Sequence, residues 1–151
     1  MKKQQQATNY FNNSFNCAQS VFTVFATDYG ISENDSLKIA CAFGGGMGRQ
    51  QLTCGAVTGA LMAIGLEYGK GIDDEETKKK ETYQKTKEFL EAFIKLNGSV
   101  NCKVLLDGLD MQRPEDYEKM VQMNIFNTKC KKYVEDATLI AERIINRNTT
   151  G

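Results

Sequence analysis

Between Phe43 and Leu66 the chain reads FGGGMGRQQLTCGAVTGALMAIGL, four glycines in five residues and then at once an apolar run. No regular helix or strand tolerates Gly44, Gly45, Gly46 and Gly48 together, because each costs about 0.5–1 kcal/mol there relative to alanine. This stretch is a loop suited to close approach. A helix is expected to follow, with Thr53 as N-cap, Cys54 at N1, and Gly55, Gly59 and Ala63 on one face at four-residue spacing. Small residues on one face let something come near the backbone, either another helix or a cofactor, and the sequence leaves both open. The same face could also pair two copies of the chain as a homodimer.

Elsewhere the spacing of apolar residues is helical. Lys3 to Asn12 forms a short helix, broken at Asn12-Asn13-Ser14. Asn16 caps a second, with Cys17 at N1 and Ala18, Val21, Phe22 and Phe25 as a core stripe ending at Tyr29-Gly30. Asn34 or Asp35 caps a brief helix from Ser36 to Ala42, in which Cys41 is expected to pack as a small hydrophobe. The longest helix spans Asp73 to Asn97, with Tyr83, Thr86, Leu90, Phe93, Ile94 and Asn97 on its buried side and Gly98 ending it. Asn101 caps a short helix opening with Cys102, and Pro114 suits N1 of another that reaches about Met123. The last starts near Cys130, carries Tyr133, Val134, Ala137, Ile140, Ala141 and Ile144 at core spacing, and frays from Asn146. No segment alternates with period two. The expected fold is all-α, one compact bundle of about six to eight helices, with residues 1–151 as a single domain.

Lys+Arg and Asp+Glu balance at 19 each, which argues against a nucleic-acid surface. The run Lys78 to Lys80 follows Asp73, Asp74, Glu75 and Glu76 and reads as a solvated helix face. The apolar run Ala56 to Leu66 is far shorter than the ~20 residues needed to span a bilayer. The start, MKKQQQATNYF, has no apolar core and no twin arginine, so a cytoplasmic location is expected. Thiols stay reduced in that compartment, and five cysteines there point to metal ligation or redox chemistry. Histidine and tryptophan are absent, which excludes Ser-His-Asp and Cys-His catalysis and every His-ligated zinc or haem site.

Four of the five cysteines fall at expected helix starts: Cys17 after Asn16, Cys54 after Thr53, Cys102 after Asn101, and Cys130 close behind Asn127-Thr128. Free N–H groups and the positive end of the helix dipole favour thiolate over thiol at such positions. Thiolate is the form that binds metals and attacks disulfides. The plainer account is chance placement of small residues. No CxxC pair is present, so the fold must bring the thiols together, either as a four-thiolate metal site or as two disulfides with three connectivities open.

The motifs resemble the redox-active proteins named for their C_GCAxxG_C_C pattern. Cys54-Gly55-Ala56-Val57-Thr58-Gly59 matches the CGAxxG motif, preceded by the Phe43 to Gly48 loop and by Asn16-Cys17-Ala18-Gln19-Ser20-Val21. Gly98-Ser99-Val100-Asn101-Cys102 and Cys130-Lys131-Lys132-Tyr133-Val134 follow in order. By this resemblance Cys17, Cys54, Cys102 and Cys130 are the family's four cysteines and Cys41 is extra. The resemblance implies redox activity, a prosthetic group such as an iron–sulfur cluster, and an oxidoreductase or transporter-associated partner.

Three readings compete. In the first, the four cysteines hold an iron–sulfur cluster or another thiolate-bound metal for electron transfer, beneath backbone N–H groups of Gly44, Gly45, Gly46 and Gly48 and beside Gly55 and Gly59. In the second, the same cysteines act without metal as a dithiol–disulfide couple, with Cys54 as the attacking thiolate. The third is a non-catalytic binding module, the loop taking an anion at the helix N-terminus with Arg49 assisting. Arg49 otherwise reads as a solvated loop residue.

Overall fold

Side-chain caps fix several helix starts. Asn16 and Gln19 form a reciprocal capping box, and the side chains of Ser32 and Asn101 accept from the N–H groups of Asp35 and Val104. The computed structural model describes the backbone of residues 1–150 and the side chains of residues 1–147. Eight α-helices follow in order: α1 (Lys3–Asn12), α2 (Cys17–Ala26), α3 (Glu33–Cys41), α4 (Gly55–Tyr68), α5 (Glu76–Asn97), α6 (Cys102–Leu105), α7 (Pro114–Gln122) and α8 (Lys131–Thr150). A 3₁₀ turn, Thr27–Tyr29, extends α2 to Gly30, and a π-helical turn, Phe126–Cys130, leads into α8. Among the described residues there is no sheet, only one antiparallel bridge between Thr53 and Asn101. The all-α expectation holds. No described helix is long and apolar enough to cross a membrane.

Helix α4 lacks a polar face because it is enclosed by α2, α5 and α8. Phe25, Ile64, Phe89, Phe93, Val134 and Ile144 meet there, each burial stabilising the fold by about 1.5–3 kcal/mol. The small-residue face of α4 serves the α2 contact. A Cβ on Gly59 would stand 2.8 Å from the Ala18 carbonyl oxygen, and one on Gly55 would stand 2.6 Å from Cys17 Sγ. Of the two readings of that face, close helix packing is the one seen.

Several expectations need correction. Thr53 is not the N-cap of α4, because its backbone pairs with Asn101; Cys54 takes the cap position and makes no side-chain cap bond. Ser32, rather than Asn34 or Asp35, caps α3. Cys41 ends α3 exposed, not packed. Only Phe89 and Phe93 of α5 are fully buried, while Tyr83 and Ile94 are 66% and 43% exposed, since α5 touches the bundle along a narrower stripe than its apolar residues suggest. Helix α5 also starts later, at Glu76, with Asp73 and Asp74 before it. Helix α8 continues to Thr150 instead of fraying at Asn146, and Gly151 lies outside the described residues.

Candidate functional site

Residues Gly45, Gly46, Met47, Gly48 and Arg49 all have positive φ, so the glycine loop is a left-handed turn. L-residues rarely adopt that conformation in succession, and three glycines make it accessible. Its own bonds close it: Gly48 N–H to Ala42 O at 2.8 Å, Gln51 N–H to Gly45 O at 3.0 Å, and Leu52 N–H to Gly46 O at 2.9 Å. Buried Gln51 then ties the loop to the segment before α7, donating to Leu109 O at 2.7 Å and accepting from Met111 N–H at 2.6 Å.

Four chain segments bring cysteines to this loop. Cys17 opens α2, and the Asn16 capping box fixes it there, while Asn16 Nδ2 donates to Cys41 O at 3.0 Å. Beside the Thr53–Asn101 bridge, Cys54 N–H donates to Val100 O at 2.8 Å and Cys102 N–H donates to Leu52 O at 2.6 Å. Cys130 closes the π turn ahead of α8. It is therefore inside a helical segment and not at a free N-terminus, since sequence carries no mark for a π turn.

All five cysteines line one cavity of about 640 Å³, and all are free thiols. Cys54 and Cys102 are buried, Cys17 and Cys130 half-buried, and Cys41 exposed. Gly44, Gly45, Gly48 and Gly55 also line the cavity; Gly46 instead packs on Gln51, Leu52 and Cys102, and Gly59 on α2.

The thiols differ sharply in electrostatics. Interaction with the neighbouring Cys54 thiol, together with the N–H groups of Gly45, Ala18 and Cys17 itself, lowers Cys17 to about 6 against the opposing effect of burial. Cys54 is correspondingly pushed well above 9.0, first by that same interaction and then by burial. Burial and the charge on Cys17 push Cys102 up to about 12 and Cys130 higher still. The favoured thiolate is thus Cys17, where the sequence had pointed to Cys54. The helix-start argument applies to Cys17, whose N–H donors are in place, and is outweighed by desolvation at Cys102.

The chemistry of the donors suits soft metals and clusters. Among the described residues, however, no three cysteine or carboxylate side chains come close enough to share one metal ion.

Residues 15–144 match the model of the family described as "Putative redox-active protein (C_GCAxxG_C_C)". The chain belongs to this family. An uncharacterized protein of Archaeoglobus fulgidus is similar as well, 30% identical over 129 residues that cover 81% of this chain and 85% of the relative. No solved structure matches. The fold collects Cys17 of α2, Cys54 at the cap of α4, Cys102 of α6 and Cys130 of the π turn into one cavity.

The site also uses residues that sequence reasoning passed over. Tyr133 Oη donates to Leu105 O at 2.8 Å and closes one wall; burial and then the charge of Cys130 push its phenol up to about 12. Phe15, Tyr117 and Phe126 add aromatic surface. Arg49, which the binding-module reading names, is exposed as a solvated loop residue would be and lies over the Tyr117 ring at 5.9 Å.

Proposed function

We propose that this chain is a thiol–disulfide redox protein in which Cys17 and Cys54 form the exchanging pair. One observation carries the reading: Cys17 and Cys54 line the same cavity, with Cys17 Sγ packed against the residue that follows Cys54, 2.6 Å from where a Cβ on Gly55 would stand, and their interaction lowers the Cys17 thiol while raising that of Cys54. A low-pKa thiolate beside a protonated thiol is the arrangement that disulfide exchange requires. The Cys17 thiolate attacks a substrate disulfide, one substrate sulfur leaves, and a mixed disulfide forms. Cys54 then loses its proton and attacks Cys17 Sγ, releasing the second substrate sulfur. Two electrons have passed from the dithiol to the substrate, and a Cys17–Cys54 disulfide remains.

A second reading keeps the four thiols of Cys17, Cys54, Cys102 and Cys130 as ligands of an iron–sulfur cluster, which would supply one-electron transfer. It is favoured by their convergence on a single cavity, roomy enough for a polynuclear group and lined also by Gly44, Gly45 and Gly48 of the glycine loop. Among the described residues, the lack of any three-residue ion site counts against a mononuclear metal in this arrangement.

Metal and sulfide analysis with an absorption spectrum, on protein purified without oxygen, separates the two. The exchange reading expects colourless protein that loses two thiols on mild oxidation and yields a Cys17–Cys54 linked peptide. Cys54→Ser should accumulate mixed disulfide on Cys17, and Cys17→Ser should abolish exchange. Stoichiometric iron and sulfide with a visible band that disappears in Cys54→Ser would replace it by the cluster.

A further inference from the structure

Among the described residues, Arg49 is the one lining the cavity that carries a full side-chain charge apart from the Cys17 thiolate, and it is exposed. No carboxylate pairs with it among the described residues, and its guanidinium is held over the Tyr117 ring, 5.9 Å from the centroid. Tyr117 in turn contacts Phe126, with ring centroids 5.9 Å apart. The Arg49 backbone is fixed too, its carbonyl accepting from Gln112 Nε2 at 3.1 Å. An oriented, unpaired cation therefore stands on an aromatic wall of the same cavity that contains the Cys17 sulfur. A volume near 640 Å³ is that of a small-molecule site.

From this geometry we infer that the disulfide reduced here is a small organic molecule bearing a carboxylate, which docks on Arg49 while its apolar part lies against Tyr117 and Phe126. The inference rests on the exchange reading above. Arg49 presents a planar fork suited to a carboxylate, and among the described residues no Asp or Glu lines the cavity to repel one. The negative charge of the Cys17 thiolate would itself disfavour an anion, which gives Arg49 a specific task. In the balanced step, the Cys17 thiolate, the Cys54 thiol and the small disulfide become a Cys17–Cys54 disulfide, one small thiol and one small thiolate. The Cys54 proton goes to one of the two departing sulfurs.

Two aromatic disulfides test this: dithiobis(nitrobenzoate), which carries two carboxylates, and dithiodipyridine, uncharged at neutral pH. Single-turnover rates of Cys17 oxidation are measured with both, for the wild type and for Arg49→Gln and Arg49→Lys, after a melting curve has confirmed folding. Arg49→Gln should slow the anionic probe about tenfold more than the neutral one, the loss expected of one charge-assisted contact, and Arg49→Lys should recover part of that difference. High ionic strength should reduce the wild-type preference in the same direction, so the result does not depend on one variant folding. Equal effects on both probes, or faster reaction with a folded protein disulfide than with either, would overturn the carboxylate assignment while leaving the exchange reading intact. Failure of both probes to oxidise Cys17 and Cys54 would instead overturn the exchange reading.

Discussion

Thr53 and Asn101 pair as an antiparallel bridge, and this single pair carries Cys54 and Cys102 to the same cavity from distant parts of the chain. Asn101 does a second job, its Oδ1 accepting the Val104 N–H at 3.1 Å to cap α6. Asn101→Ala keeps the backbone pairing and removes the cap, so it should destabilise the protein by about 1 kcal/mol. It should also raise the alkylation rate of Cys102, which is 7% exposed in the intact structure. Urea unfolding and mass spectrometry of labelled peptides read the two effects; an unchanged midpoint with unchanged labelling would refute the role given to the cap.

Three glycines of α4 should respond differently to the same change. Gly59→Ala sets a Cβ 2.8 Å from the Ala18 carbonyl oxygen, backbone that cannot yield cheaply, so a loss of about 1–3 kcal/mol is expected. Gly55→Ala sets its Cβ 2.6 Å from Cys17 Sγ and should displace the thiolate, lowering reactivity as well as stability. Gly65→Ala meets nothing within 4 Å and should stabilise the helix by up to about 1 kcal/mol. Thermal unfolding of the three variants decides the matter, and the ordering Gly65, then the other two, is the essential claim.

Gln51 makes the loop a wall of the site. Its buried amide satisfies both Leu109 O and Met111 N–H. Gln51→Ala leaves both without their partner and should cost about 1–3 kcal/mol. Because Met111 lines the cavity, exchange at Cys17 should also lose substrate discrimination. Unfolding midpoints and rates with the two aromatic disulfides measure this, and a neutral substitution would mean that the loop is held by its backbone bonds alone.

What the sequence made legible was local. Asn16 as the cap of α2, Pro114 at the start of α7, and Gly98 after α5 each mark an element by chemistry contained in a few residues. Ser32, Asn34 and Asp35 are all competent caps, so the start of α3 could not be chosen without the Ser32 Oγ to Asp35 N–H bond. Thr53 lost its cap role to a tertiary bridge with Asn101, a partner that no local pattern names. The convergence of four cysteines followed from the family motif and not from spacing. Which of them holds the charge depends on the Cys54 thiol and the Gly45 N–H, both supplied by the fold.

The electrostatics of the thiols give a pH signature with a definite sign. Cys17 titrates near 6 when folded and near 9.0 when unfolded, so between these values the unfolded chain binds more protons and stability rises with pH. Below about 6 the thiol is protonated in both states and that contribution is gone. Approaching 9.0 the sign reverses, because Cys54, Cys102 and Cys130 keep their protons longer in the folded protein than in the unfolded chain. Because three raised thiols oppose one lowered thiol, stability should peak between 6 and 9.0, on the side nearer 9.0, as far as these thiols control it. The alkylation rate of Cys17 should show its midpoint near 6, and Cys54→Ser, which exchanges the thiol for a hydroxyl, should move that midpoint. Cys54→Ala, which removes the thiol altogether, should shift it further upward, since the Cys54 interaction is the largest of the effects holding Cys17 down. A midpoint that stays near 6 in Cys54→Ala would assign the thiolate to the backbone N–H groups of Gly45, Ala18 and Cys17 and would deprive the Cys17–Cys54 pair of its special standing.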